Sequence, residues 1–153
     1  MPSNATAGLD LVQLQLRIAA GEPLPIGKDD VHVRGHAIEC RVNAEDPIRF
    51  FPSPGTLTRF DPPVPADGAF HDGVRIDAGY RAGDVITPHY DSLLAKLIVW
   101  GGTRAQAIER LRGALERFAV EGVKTNLPLH KRIAAADAFA RGELDTHFLE
   151  RLA

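Results

Sequence analysis

Arg41 and Glu39 lie two residues apart in a stretch where polar and apolar side chains alternate, so the two project from the same face of an extended strand. A guanidinium is permanently charged, planar and a donor of paired hydrogen bonds. Held rigidly between a buried face and a turn-rich exit, it can be aimed at an oxygen anion. On pattern alone, a structural salt bridge with a neighbouring carboxylate explains Arg41 more simply than a ligand does.

Other reactive residue types explain less. His32, His36 and Cys40 are evenly spaced, but residues four apart on a strand are about 13 Å apart, too far to share one ion. No metal site is expected. His89, Tyr90, Asp91 and Ser92 include the residue types of a hydrolase triad. Triads, however, join distant segments around a nucleophile held in a defined turn, and adjacency alone does not supply that. Gly101-Gly102-Thr103 opens a helix whose free amides could hold an anion, but the signal is weak and a plain loop with a cap is the better explanation. Arg104, Arg110, Arg112 and Arg117 read as a solvated helix face.

The elements that must position these residues follow from periodicity. The alternation from Val31 to Asn43 predicts a half-buried strand with Ile38, Cys40 and Val42 inward and Ala37, Glu39, Arg41 and Asn43 outward. Before it, apolar residues from Leu9 to Ala20 predict a helix stopped by Gly21, Pro23 and Pro25. Strands are expected at Thr56–Phe60, Val74–Asp77, Asp84–Thr87 and Leu93–Trp100, bounded by glycine or proline. Thr103 with Gln106 forms a capping-box pattern for a helix to Phe118, whose core stripe is Ala105, Ile108, Leu111, Leu115 and Phe118. Thr125-Asn126 ahead of Leu127-Pro128 predicts a second cap and a helix to about Ala136. A short last helix is expected near Asp145. The fold class is α+β, a largely antiparallel sheet flanked by helices.

Bulk properties narrow the function classes. The 153 residues suit one domain with flanking pieces. The formal net charge of −2 leaves no broad basic field for nucleic acid or an anionic membrane. One cysteine, Cys40, cannot close an internal disulfide, and the longest apolar run, Leu93–Trp100, is too short to span a bilayer. No secretory leader pattern is present, which makes a cytoplasmic, reduced setting the expectation. Residues 1–7 carry no period and read as disordered or as a cloning remnant.

The run His36-Ala-Ile-Glu-Cys-Arg-Val-Asn-Ala-Glu-Asp-Pro47, followed by Phe51-Pro-Ser-Pro-Gly55, resembles the signature of the biotin carboxylase C-terminal domain. Further matches come in the family's order: Gly8-Leu-Asp-Leu-Val12 with Ala20-Gly21, Ala78-Gly79, His89-Tyr-Asp-Ser-Leu-Leu-Ala-Lys-Leu-Ile98 and Gly122-Val-Lys-Thr-Asn126. The likeness covers almost everything from Gly8 to Leu152. It divides the chain into residues 8–29, the terminal helix of an ATP-grasp region with its linker, and residues 30–153, the C-terminal domain.

The resemblance implies an ATP-dependent ligase. With ATP and Mg²⁺ the family's enzyme phosphorylates bicarbonate, then transfers the carboxyl group to the ureido nitrogen of biotin on a biotin carboxyl carrier protein or domain. Arg41 matches the arginine that contacts bicarbonate and the enolate-like oxygen of deprotonated biotin. Glu39 and Asn43 flank it and are expected to orient it. Arg75 matches a position near the family's homodimer interface. Asp145-Thr-His-Phe-Leu149 matches the stretch that closes over adenine, with Thr146 where an apolar residue would pack better.

The ATP-grasp domains, which supply the phosphate-binding, metal-binding and base residues, are expected upstream of Gly8. The isolated chain is therefore expected to bind no cofactor and to be inactive alone. The alternative reading is a non-catalytic assembly or dimerisation module of the same carboxylase. The Glu39–Pro47 run looks most like the acetyl-CoA carboxylase component of fatty acid biosynthesis. The polar Gly79–Pro88 stretch leans toward broader acyl-CoA carboxylases, and a separate carboxyltransferase selects the acceptor.

Overall fold

A computed structural model describes residues 5–152 of the chain. Of the segment set aside in the sequence, residues 1–4 lie outside the described residues. Residues 5–7 form a turn in which the Thr6 carbonyl accepts the Arg34 N–H at 2.9 Å.

The centre is a three-stranded antiparallel sheet in the order β1-β6-β4, with β1 at His36–Asn43, β6 at Leu93–Gly101 and β4 at Val74–Ala78. Its register places Cys40 and Ile76 on either side of Leu97, and all three are buried. Helix α2, Arg104–Arg117, packs on this face through Leu111, Ala114 and Leu115. Helix α3, Leu127–Ala135, adds Leu127 and Ala134, and Phe118 closes the end with an edge-to-face contact on Phe60 at 5.6 Å. One face of the sheet is thus a dry core.

Smaller elements frame it. Strands β2, Gly55–Thr56, and β5, Val85–Ile86, pair beside a second cluster of Ala44, Leu57, Ile86 and Leu94. Strands β3, Arg59–Asp61, and β7, Ala119–Glu121, pair antiparallel. Helix α4, Asp137–Arg141, ends on Gly142 at φ +77°. Helix α1, Leu11–Ala19, is capped by the Asp10 carboxylate and buries none of its residues. Its apolar Val12 and Leu16 face outward. Among the described residues no helix is long and apolar enough to cross a membrane.

The α+β fold with its antiparallel sheet agrees with the sequence expectation, and several details differ for physical reasons. The strand expected from Val31 begins only at His36, because Gly35 takes a left-handed conformation, φ +68°. The expected strand Thr56–Phe60 divides into β2 and β3, because Leu57 turns into the second cluster while the Thr58 amide bonds to Glu121. The helix expected near Asp145 is a turn followed by a 3-10 segment, Glu150–Leu152. Ala105 is exposed, and the inward positions of α2 are Ala107, Ile108, Leu111, Ala114 and Leu115.

Three of the four arginines expected on a solvated face are engaged. Arg104 donates to the Phe139 carbonyl at 2.6 Å and lies over the Phe139 ring. Arg110 donates to the Trp100 carbonyl at 2.5 Å and Arg112 to that of Ala134 at 2.7 Å. They satisfy carbonyls at element ends, where a backbone acceptor has no partner of its own.

Candidate functional site

The second face of the β1-β6-β4 sheet carries the charge. Alternation sends Glu39 and Arg41 outward from β1, opposite the buried Cys40 and Val42. The register then places Lys96 across from Arg41 on one side and from Asp77 on the other, so Arg41, Lys96 and Asp77 form a row across three strands. The next row is Glu39, Ile98 and Arg75. Directly opposed side chains on one sheet face are about 5 Å apart at Cβ.

Within this surface the Arg41 side chain is 54% exposed, and its guanidinium lies 3.9 Å from Asp91, itself exposed. Glu39 faces Lys96, also at 3.9 Å. Such separations are loose ion pairs in a high dielectric, which leaves Arg41 open to a second anionic partner. Arg75 is held more firmly. Its Nε and Nη2 donate to the two oxygens of Asp77 at 2.8 and 2.6 Å, and its guanidinium lies over Phe70. The carboxylate bonds raise the Arg75 pKa further above its ordinary value. A cleft of about 500 Å³ opens beside the sheet, lined by Gly68, Asp77, Gly79 and Lys96.

The strand beneath Arg41 is tied at its outer edge. Asn126 Nδ2 donates to the Arg41 carbonyl and Asn126 Oδ1 accepts the Asn43 N–H, both at 2.9 Å. His130 Nε2 lies 2.9 Å from the same Arg41 carbonyl. The Asn43 side chain points elsewhere, donating to Glu45 at 2.9 Å and to Ser92 at 3.3 Å, while the Ser92 hydroxyl bonds to Glu45. Neither Glu39 nor Asn43 hydrogen-bonds the Arg41 guanidinium; among the described residues its close charged neighbour is Asp91.

The remaining sequence candidates separate. Cys40 faces the core, where burial and the nearby Glu39 charge push its thiol up to about 12. Among the described residues, no group of three or more His, Cys, Asp or Glu side chains is arranged to hold a metal ion. In the His89–Ser92 run, Ser92 bonds to Glu45 and Asn43 while Asp91 faces Arg41, so no triad forms. At the start of α2 the Gln106 amide donates to Thr103 Oγ1, and the Gly102 amide just ahead of the helix donates to Gln106 Oε1. Glutamine therefore closes onto Gly102, not onto the cap residue as a full capping box would. Asp145–Leu149 is a turn anchored by the buried Phe148, with Thr146 exposed.

Sequence reasoning missed three residues of this neighbourhood. Lys96 sits in a run that reads as a buried strand, and its outward direction needs the register. Asn126 reads as an ordinary helix cap, yet its side chain makes no capping bond to α3 and crosses to β1 instead. His130 is a mid-helix residue whose target lies 89 positions away. The helical spacing of Asn126 and His130 was the available signal, since residues four apart share a helix face.

Comparison with known proteins gives one consistent outcome. The model of the biotin carboxylase C-terminal domain matches residues 39–151. A biotin carboxylase of Pseudomonas aeruginosa is 45% identical over 149 residues, 97% of this chain and 32% of the relative. Biotin carboxylase 2 of Bacillus subtilis is 49% identical over 144 residues, 94% of this chain and 31% of the relative. The biotin carboxylase domain dimer of the Hydrogenobacter thermophilus 2-oxoglutarate carboxylase, solved with MgADP, ADP and bicarbonate, superposes with a TM-score of 0.87 at 44% identity. That match covers 95% of this chain and 31% of the other. The chain thus spans less than a third of the length of these relatives. With a matching family model, similar relatives and a shared fold, the chain belongs to the biotin carboxylase C-terminal domain family.

Proposed function

We propose that this chain is the C-terminal part of a biotin carboxylase and that Arg41 is its contribution to the active centre. The reaction is the ATP-dependent carboxylation of biotin with bicarbonate, the biotin being borne by a carrier protein or domain. A carboxyltransferase then passes the carboxyl group on. Relatives are named for pyruvate, 2-oxoglutarate and methylcrotonoyl-CoA carboxylation, so the shared step is the carboxylation of biotin itself. Acetyl-CoA or a broader acyl-CoA is the proposed acceptor, on the likeness of the Glu39–Pro47 and Gly79–Pro88 stretches. The reaction is assigned to the cytoplasm.

The observation that carries this reading is the half-exposed Arg41 guanidinium on a strand whose other face is buried. A fixed, permanently charged donor stabilises negative charge that develops on bicarbonate and on the biotin oxygen, and costs no reorganisation when that charge appears. Lys96, opposite Arg41, adds a second positive charge, and the Asp91 carboxylate lies 3.9 Å to the side. The solved relative that contains bicarbonate supports the anion's presence in the family.

ATP and Mg²⁺ belong to the proposed reaction, but none of the described residues is assigned to them. By resemblance to the family, Mg²⁺ is proposed to be held together with the ATP phosphates by the ATP-grasp portion. Residues 8–29 are proposed as the end of an ATP-grasp region. The fully unburied α1, with apolar residues facing outward, supports packing against further chain. Arg75 is proposed at a homodimer contact, where its fixed pairing with Asp77 presents a pre-organised surface.

A reconstitution experiment separates this reading from a purely assembling role. ATP turnover with free biotin and bicarbonate is measured for the 153-residue chain alone and after mixing with a separately made ATP-grasp portion. We expect no turnover alone, restored turnover in the mixture, and no restoration by the Arg41→Ala chain. Equal restoration by the Arg41→Ala chain would support an assembly module and contradict the proposal.

A further inference from the structure

The strand that bears Arg41 is at the edge of its sheet. On one side β1 pairs with β6; among the described residues its other side has no strand partner. An edge strand leaves backbone donors and acceptors without a ladder, and here the ladder with β6 also shifts register between Val42 and Asn43. A bulge of this kind re-aims the side chains around it. Arg41 therefore leaves an edge strand just before its ladder with β6 becomes irregular.

Asn126 supplies the missing constraint. Its side-chain amide donates to the Arg41 carbonyl and accepts the Asn43 N–H, and its backbone N–H donates to the Asn43 carbonyl at 3.2 Å. A carbonyl at one residue and an N–H two residues on are the groups that a single residue of a parallel neighbouring strand engages. The carboxamide has a peptide's donor and acceptor, so one side chain imitates a strand rung around Val42. Val42 is fully buried on the opposite face, so the rung closes around the residue that anchors this part of the strand to the core. His130 reinforces the same carbonyl, and because a carbonyl only accepts, Nε2 carries the proton.

We propose that Asn126 is a positioning residue for carboxylation. Acting through the Arg41–Asn43 backbone, it fixes the direction of the Arg41 guanidinium, and His130 assists it. The proposal rests on the reading of Arg41 given above.

The test uses a full-length carboxylase carrying this domain, with Asn126→Ala, Asn126→Asp, His130→Ala and Arg41→Ala compared. Hydrogen exchange at the Asn43 amide is followed in the 153-residue chain. Misplacing a catalytic group by about 1 Å costs up to about 100-fold, so Asn126→Ala should lower kcat by at least about tenfold. The ATP KM should stay within about twofold, because the affected group acts on the bicarbonate and biotin side of the reaction. The Asn43 amide should exchange at least about tenfold faster while α2 amides keep their protection, as a local opening requires. Asn126→Asp keeps the shape and the acceptor but loses the donor, and it carries the test if the alanine variant does not fold. His130→Ala should have the smaller effect.

A native kcat in Asn126→Ala and Asn126→Asp, alongside an inactive Arg41→Ala, would overturn the positioning role. An unchanged Asn43 exchange rate would overturn the clamp itself. Native turnover in Arg41→Ala would overturn the reading of Arg41 and, with it, the catalytic consequence of the clamp, whatever the exchange shows.

Discussion

Leu97 and Lys96 are neighbours on the central strand and point to opposite faces, so substituting each by alanine weighs the two sides of the sheet. Leu97 is fully buried between Cys40 and Ile76, and hydrogen-bonded ladders fix both flanking strands. Such a site cannot collapse far around a cavity. Leu→Ala in cores costs about 2–5 kcal/mol, and this position belongs in the upper half, near about 4 kcal/mol. Against a typical total of about 5–15 kcal/mol that is a large share of the fold's stability. With a urea m-value of about 2 kcal/mol/M, the midpoint should fall by about 2 M. Lys96 is half-exposed with a loose partner at 3.9 Å, and its removal should stay within about 0.5 kcal/mol. Trp100, the single tryptophan, reports unfolding by fluorescence. A Lys96→Ala cost equal to that of Leu97→Ala would mean that the charged face is buried and closed to a ligand.

Other substitutions and reagents probe the remaining contacts. Arg112→Ala, which strips the Ala134 carbonyl of its donor, should cost about 1–2 kcal/mol in a thermal melt, whereas the exposed Arg117→Ala on the same helix should change little. Gly122→Ala places a methyl against the Thr56 carbonyl at a backbone φ of +99°, and should destabilise by about 3 kcal/mol or fail to fold. Cys40 has a folded-state pKa raised from 9.0 to about 12, so its stabilising contribution is complete below pH 9 and is lost as pH rises toward 12. Iodoacetamide at a pH of about 8.5 should modify it only as fast as the protein opens, and alkylation at the free-thiol rate would refute its burial.

Much of this was legible in the sequence, for identifiable reasons. The alternation of Ile38, Cys40 and Val42 with Glu39 and Arg41 encodes a two-faced strand directly, and the structure keeps that assignment. Thr103 and the Ile108, Leu111, Leu115 spacing mark α2 to within a residue at each end. Gly21 ends α1 as expected, with its N–H returning to the Ile18 carbonyl. What escaped depends on long-range partners. Strand β7 is three residues long and exists because β3, far earlier in the chain, pairs with it. The arginines of α2 read as a wet face because the carbonyls they bind belong to β6, α3 and α4. Asn126 looks like a helix cap because caps and strand clamps draw on the same carboxamide chemistry. The outward direction of Arg41 was therefore readable, while the residues that hold it in place were not.

The most direct test of the account is bicarbonate-dependent biotin carboxylation by a full-length carboxylase carrying Arg41→Ala in this domain, with folding and oligomeric state measured alongside. Loss of one pre-organised donor to a developing anion should lower kcat by about 100- to 1,000-fold with both controls unchanged. Turnover within about twofold of the native enzyme would contradict the claim that this guanidinium serves the reaction.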